Sequence, residues 1–348
     1  MRFILNGRFF SQPTTGVQRY AANLARRRLG VDAETVVAIP RGGLVPIEEA
    51  GPARSRLAPG MGHAWEQLWL PRLVGAGDLL VGLANYGPRR IRNQVVTLHD
   101  ASTAIVPETF SRRHRMLFER FGVAAARAAR RVVTHSERSK IDIVDRYGIK
   151  PDLISVVPCG VGPEFSPGDG VDPPTPYCVF VGAHDPRKNL GFLAGLWPAV
   201  ERRTGLRLIA VGRSASRAHA AAGSEGVDVR TDLSDDDLRS LYRGATLVLQ
   251  PSRYEGFGLP ILEGAACGTP FLSSDVGAAL ELAVDPDRQV LPLDAEAWVE
   301  AIVAFAELDA WGRAELASRS LDVAARYSWD NSARALGLVL MAAAEESP

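Results

Sequence analysis

Lysine is almost missing from this chain. Only Lys140, Lys150 and Lys188 stand among 40 basic residues, and the rest are arginine. The excess reads as codon bias, and it makes each remaining lysine worth attention. Cysteine is as scarce. Cys159, Cys178 and Cys267 are scattered, odd in number and without a CxxC pair. That argues against a disulfide framework or a cysteine metal site, and for small buried side chains in a reducing compartment. No run approaches the roughly 20 apolar residues of a membrane-spanning helix. Met1–Leu5 passes straight into the polar Asn6-Gly7-Arg8, so no secretory leader is expected. No G-x-G-x-x-G follows the first expected strand, where "NGRFFSQPTTG" stands instead, which counts against a dinucleotide oxidoreductase. No nucleic-acid-binding module is recognisable, and no low-complexity segment or short-period repeat is visible. The expectation is a soluble, cytoplasmic globular protein with no nucleic-acid partner.

What is present fits that class. The 348 residues are 46% hydrophobic and 23% charged, too many for one core, so two domains are expected. Net charge is zero but unevenly spread. Residues 1–165 carry 24 basic and 14 acidic side chains, and residues 166–348 carry 16 and 26. A basic half suits an anionic lipid or a phosphorylated acceptor, and two opposite charges also help two domains associate.

Short apolar runs alternate with amphipathic stretches. Strands are expected at residues 2–5, 35–39, 78–81, 94–98, 131–134 and 154–157, then at 177–181, 206–211, 246–250 and 271–273. Helices are expected at 17–29, 111–130 and 137–146, then at 189–203, 235–244, 260–267 and 295–307. Buried strands separated by helices mean parallel sheets covered on both faces. The pattern restarts after "PCGVGPEFSPGDGVDPPTPY" (158–177), whose proline and glycine content reads as a linker. The expected domains are therefore 1–165 and 166–327, each a doubly wound α/β domain, facing one another across a cleft. Residues 328–348 form a terminal helix that either packs on the second domain or crosses back to the first.

Two stretches carry the chemistry. In "VFVGAHDPRKNL" (179–190) a buried strand ends at Gly182, and Arg187 and Lys188 stand where the next helix begins. Two cations at a helix N-terminus suit a pyrophosphate, although Arg-Lys pairs are also common in solvated loops. In "SRYEGFGLPILEGAACGTP" (252–270) Glu255 lies on a glycine-rich turn. Pro260 suits the first helical position, and Glu263 lies about one turn in. Two carboxylates at that spacing can hold two parts of one polyol, while backbone N–H groups near Gly258 can meet an anion. A helix-dipole partner would explain Glu263 alone, and an ordinary surface acid Glu255 alone, but not both together with the glycines.

"EGFGLPILEGAACGTP" resembles the Glu-x7-Glu signature of retaining glycosyltransferases of family 4, which have the GT-B fold of two Rossmann-like domains. "VGAHDPRKNL" resembles that family's phosphate loop, and "LSDDDLRSLYRGATLVLQPS" the segment preceding the signature. "VVTHSERSKIDI" and "ISVVPCGVGPEF" resemble its closing N-domain elements. The resemblance is strongest over residues 177–283. It implies that Arg187 and Lys188, with Gly182 in the same loop, hold a donor diphosphate. Glu263 would bind the donor ribose and Glu255 the hydroxyls of the transferred sugar. Phe257, Gly258 and Leu259 would offer backbone donors, and the base would sit near 230–233. Transfer would proceed with retention, without a protein nucleophile, a metal or a cofactor beyond the nucleotide-sugar substrate.

The first half matches less closely. "QPTTGVQRYA" (12–21) stands where the family has a glycine-rich loop, with Gly16 preceded by Thr14 and Thr15. Thr15, Gly16 and Arg19 are candidates on the donor or acceptor side. "VVTLHDAS" (95–102) ends an expected strand with His99 and Asp100. The family places a functional histidine there, so His99 is expected near the reacting sugar, with Asp100 orienting it or a neighbouring loop. Asp285 and Asp287, and the run Asp235–Asp237 behind Ser234, are assigned to no metal; the run reads as cap and dipole partners. "SRRHRMLFERFGVAAARAARR" (111–131) is basic and amphipathic. It reads either as a lipid-facing surface on an anionic membrane or as a helix with its apolar stripe in the core.

The resulting expectation is a hexosyltransferase that moves a sugar from a nucleotide-sugar to a glycan or lipid-linked acceptor in bacterial surface polysaccharide assembly. General family resemblance leans to GDP-mannose over a UDP-hexose or a dTDP-deoxysugar. Two alternatives stand beside it: a transferase for a soluble acceptor, and a non-catalytic nucleotide-sugar-binding subunit.

Overall fold

A computed structural model describes residues 2–31, 33–41, 54–168, 175–212 and 226–346. The chain divides into two units, Met1–Gly160 with Trp329–Pro348, and Val161–Ser328. Residues 169–174 of the expected linker lie outside the described residues.

Among the described residues the first unit holds seven parallel strands in the order β3-β2-β1-β4-β5-β6-β7. They are β1 Arg2–Asn6, β2 Thr35–Pro40, β3 Arg54–Ala58, β4 Asp78–Gly82, β5 Gln94–Thr97, β6 Arg131–Thr134 and β7 Ile154–Val156. Strand β3 is an addition to the expectation. "RSRLA" lies at the sheet's edge, opens with three polar or charged residues and ends in only two apolar ones, too short an apolar run to mark a strand. The inner strands are buried along almost their whole length, as sheets covered on both faces require. The strand order reverses between β1 and β4, which defines this sheet's switch point.

The helix expected at 17–29 runs Gly16–Arg26 and then breaks, because Arg28 and Leu29 take left-handed angles. The basic stretch is helical over Arg112–Leu117, then a π-helical turn Phe118–Val123, then Ala124–Ala128. Its apolar stripe enters the unit's own core. Phe118 and Val123 are buried, Leu117 and Phe121 half-buried, and of these five apolar residues Met116 alone is exposed. The terminal helix Trp329–Glu345 belongs to this unit. It lies backbone to backbone on Leu29-Gly30. A Cβ on Gly337 would stand 2.3 Å from the Gly30 carbonyl oxygen, so no side chain fits there. Arg130 donates to the carbonyls of Ala343 (2.8 Å) and Glu346, closing the helix's C-terminal end.

The second unit holds five described parallel strands in the order β10-β9-β8-β11-β12. They are β8 Tyr177–Val181, β9 Arg207–Gly212, β10 Val227–Thr231, β11 Leu247–Gln250 and β12 Phe271–Ser273. Strand β10, also an addition, is a half-exposed edge strand. Trp197 of the Leu190–Thr204 helix and Trp298 of the Ala295–Ala306 helix are fully buried in one core with Leu208, Leu249 and Leu272. Ser234 caps the Asp235–Gly244 helix. Its hydroxyl accepts from the Asp237 amide at 3.1 Å, and Asp237 accepts from the Ser234 amide at 3.0 Å. The helix Ala310–Ala324 is not among those expected; it is only weakly amphipathic and caps on Asp309. The order reverses between β8 and β11, and the two chemistry-bearing stretches follow those two strands.

Candidate active site

The second unit's expected residues follow the two neighbouring strands β8 and β11. β8 ends at Val181, and Gly182 follows with φ 114°. A Cβ there would meet the Lys188 side chain at 2.9 Å, so the lysine stem lies directly across the glycine. Pro186–Lys188 forms one 3-10 turn, capped by Asp185, and Asn189 takes a left-handed angle before the Leu190–Thr204 helix starts. Asn189 donates to the Pro251 carbonyl (3.2 Å) and the Arg253 amide to the Arg187 carbonyl (2.8 Å). These two bonds tie the loop after β8 to the loop after β11.

Across that tie Lys188 Nζ stands 2.7 Å from Glu255 Oε1. The same oxygen accepts from the Ser252 hydroxyl at 2.7 Å. Glu255 is buried, and a carboxylate withdrawn from water needs such partners. Arg187 is held by Asp185, which neither motif reading marked. Nη2 lies 2.7 Å from Asp185 Oδ2 and Nε 3.3 Å from Oδ1, a bidentate grip. Burial raises the Asp185 pKa, but the Arg187 charge and hydrogen bonds outweigh it and hold the carboxyl below its ordinary value.

Gly258 takes φ 111° and leads into the Leu259–Ala266 helix, one residue earlier than Pro260. Leu259 opens that helix, so its N–H has no acceptor one turn back. Glu263 is the fifth helical residue, past the first turn, which weakens the dipole-partner reading. It is buried and accepts the Tyr242 hydroxyl at 3.0 Å. Phe257 is buried, its carbonyl taken by the Ala278 amide at 2.9 Å. Arg230 is paired with Asp228 at 2.9 Å on edge strand β10.

The first unit places its candidates in two locations. Thr15 and Gly16 are exposed at the start of the Gly16–Arg26 helix, where the Thr15 amide donates to Gln18 Oε1 at 3.1 Å. Gly16 is an ordinary helical residue there and forms no left-handed turn. Arg19 is half-buried on the same helix. His99 is buried just past β5. Its amide donates to Asn85 Oδ1 (2.8 Å), its Nε2 meets the Leu83 carbonyl (2.9 Å), and its Nδ1 meets His135 Nε2 (2.7 Å). Asp100 accepts from the Ser102 amide at 2.8 Å, so it orients the following loop and not the His99 ring. At the end of β1 a buried ion pair went unmarked. Arg8 Nε lies 3.3 Å from Glu66 Oε1, which also accepts from Asn6 Nδ2 at 2.5 Å.

Comparison with known proteins follows the same division. A family model described as "Glycosyltransferase Family 4" matches residues 14–165, and one described as "Glycosyl transferases group 1" matches residues 175–307. The chain belongs to the glycosyltransferases of family 4.

Similar proteins within this family include the O-antigen chain mannosyltransferase B of Escherichia coli, 26% identical over 71% of this chain and 69% of that one. A D-inositol 3-phosphate glycosyltransferase of Stackebrandtia nassauensis is 32% identical over 69% of this chain. The match covers 58% of that enzyme, and that of Acidothermus cellulolyticus, 35% identical, is covered over 51%. The chain thus spans little more than half the length of these inositol phosphate enzymes. Among solved structures, HepE of Anabaena with UDP and glucose matches with TM-score 0.73 at 18% identity, over 98% of this chain and 99% of that one. WaaG, a glycosyltransferase involved in lipopolysaccharide biosynthesis, matches with TM-score 0.67 at 17% identity, over 99% and 98%. The fold is GT-B, and the family 4 chain is a hexosyltransferase by class. Among the described residues no helix is long and apolar enough to cross a membrane.

Proposed function

We propose that this family 4 enzyme transfers a sugar, with retention at the anomeric carbon, from a nucleoside diphosphate sugar to a hydroxyl of a glycan or lipid-linked acceptor in surface polysaccharide assembly. The observation that carries the reading is the Lys188–Glu255 contact at 2.7 Å, at the switch point between β8 and β11. Ligands of open parallel sheets bind at such points. The contact pairs the cation suited to a departing diphosphate with the carboxylate suited to sugar hydroxyls. Glu255 Oε2 accepts a hydroxyl of the transferred sugar, while Oε1 stays with Ser252 and Lys188. Glu263, oriented by Tyr242, accepts from the ribose. Lys188 and Arg187 stabilise the negative charge that grows on the diphosphate as the sugar–oxygen bond breaks. The acceptor hydroxyl attacks from the face the diphosphate leaves, and its proton passes to the leaving phosphate oxygen. His99 is the first unit's candidate for acting on the transferred sugar, a role that rests on the family resemblance. GDP-mannose is the donor we favour, in keeping with the mannosyltransferase among the relatives.

A thermal-shift series against GDP, UDP, dTDP and their sugar conjugates, with NAD as control, tests the reading. One diphosphonucleoside should raise the melting temperature, and Lys188→Ala and Glu263→Ala should abolish the rise. Absence of any response well above micromolar concentrations would count against a nucleotide-sugar site, whereas a response without transfer activity would favour the non-catalytic binding subunit. Proton NMR of the product's anomeric signal tests retention.

A further inference from the structure

Four groups stand in a row along the carboxyl edge of the first unit's sheet. Leu83 follows β4, His99 follows β5, His135 follows β6 and Val157 follows β7, and these four strands are consecutive neighbours. The row is hydrogen-bonded throughout. His99 Nε2 lies 2.9 Å from Leu83 O, His99 Nδ1 lies 2.7 Å from His135 Nε2, and His135 Nδ1 lies 3.1 Å from Val157 O.

Counting protons makes the row unusual. A carbonyl oxygen only accepts, so each outer ring nitrogen must carry a proton to make its contact. The central nitrogen pair needs one more. Three contacts require three protons, and two neutral imidazoles hold two. In the neutral pair one contact therefore sets lone pair against lone pair in a site closed to water, which is unfavourable. A third proton satisfies every contact and leaves the pair with one positive charge. A fourth has no place, because two N–H groups cannot face each other at 2.7 Å. We propose that His99 and His135 form one dyad that takes up a single shared proton, and that His135 is the positioning residue that fixes the His99 ring.

The surroundings set the pH at which this happens. Tyr20 of the Gly16–Arg26 helix packs on both rings, with centroids 5.3 Å from His99 and 4.3 Å from His135. Trp329 of the terminal helix packs on Tyr20 at 6.1 Å. Burial disfavours the charged form and lowers the pKa of both histidines, and a charge on His99 lowers that of His135 further. The Leu83 and Val157 carbonyls and the charge of Asp100 work in the opposite direction. Tyr20 and Cys159 stay neutral, since burial pushes both upward. Both ring nitrogens of His99 are committed to protein in this row. A substrate hydroxyl that reaches Nε2 must replace Leu83 O, and the His135 contact holds the ring while it does. That consequence rests on the placement of His99 beside the sugar proposed above; the dyad itself does not.

The chain has six histidines, so the full-length protein labelled with 13C,15N-histidine gives six sets of ring signals, assignable by single substitutions. The His99 and His135 signals should move together through one midpoint below that of a free histidine, ending with three protonated nitrogens over the two rings. Two separate midpoints, or one ring titrating while the other stays flat, would overturn the proposal. His135→Phe keeps an aromatic ring against Tyr20 but removes the acceptor for the His99 proton. The His99 midpoint should then fall by about one pH unit or more, and His135→Gln should recover part of the fall. An unmoved or rising midpoint in a chain with native circular dichroism speaks against the dyad. If His135→Phe does not fold, the wild-type titration decides alone. The titration needs no donor, so its failure and failure of the nucleotide-sugar reading are separate results.

Discussion

The carboxyl edges of the two sheets are built in different ways. In the second unit two short loops, 182–189 and 251–258, supply Lys188, Glu255, Arg187 and Asp185, and each loop is continuous in sequence. In the first unit the corresponding edge is assembled from strand ends far apart in the chain: Leu83, His99, His135 and Val157, and, at β1, Arg8 with Glu66. One edge is a motif, and the other is a product of strand order. The second unit's charges pair within and between its own two loops, Arg187 with Asp185 and Lys188 with Glu255. The first unit's polar groups are closed on one another and buried.

That contrast predicts where damage falls. The largest effect is expected at Glu66. Glu66→Ala leaves Arg8 buried without its counter-charge and should cost about 3–5 kcal/mol in denaturant unfolding. Replacing both together, Arg8→Met with Glu66→Leu, should cost less than the single change. If it costs more, the pair does not act as a closed structural unit. Next comes Lys188→Ala, expected to lower kcat about 10²–10³-fold with far-UV circular dichroism unchanged. A large loss of stability instead would make the second unit's edge structural like the first. Tyr242→Phe removes one hydrogen bond to Glu263 and should raise donor KM about fivefold, the equivalent of about 1 kcal/mol, at unchanged kcat.

The smallest effects are those of pH, and they separate the two edges by window. His99 and His135 have folded pKa values below the ordinary 6.5, so the unfolded chain binds more protons just below that pH. Their contribution is complete above about 6.5 and is lost as pH falls. Asp185 is also depressed, from 3.8, so its contribution is present above that value and lost only as pH falls through the folded pKa. The melting temperature should therefore begin to drop between pH 7 and 5, and His135→Phe should flatten that part of the curve. Asp185→Asn should leave it alone and flatten the curve below pH 4. The reverse assignment would break the comparison.

Legibility follows the same line. Strands with continuous apolar runs, such as β2 and β8, were plain in sequence, whereas the edge strands β3, largely polar, and β10, which alternates, were not. Lys188, Glu255 and Glu263 could be read because each lies a fixed step from a strand and a glycine turn. Asp185 and Tyr242 were passed over. An aspartate before a proline looks like an ordinary turn residue, and a tyrosine on a helix looks like core until Glu263 is seen opposite it. His135 could have been found. It ends a buried strand in "VVTHS", the same signal that marked His99 in "VVTLH". What sequence could not supply was that β5 and β6 are neighbours, and that their ends meet at 2.7 Å. Arg8 and Glu66 are 58 positions apart with no shared motif, so only the packing of the π-helical turn Trp65–Trp69 reveals them.

The terminal helix has a consequence for how the chain is made. Residues Trp329–Glu345 complete the first unit, yet they leave the ribosome after the whole of Val161–Ser328. The second unit is continuous in sequence and can finish folding during translation. The first cannot, because the backbone that seals Leu29-Gly30 and supports Tyr20 through Trp329 arrives last. The half of the molecule synthesised first is thus the half completed last. A stop codon at Trp329 would remove a wall of the first unit while sparing the second.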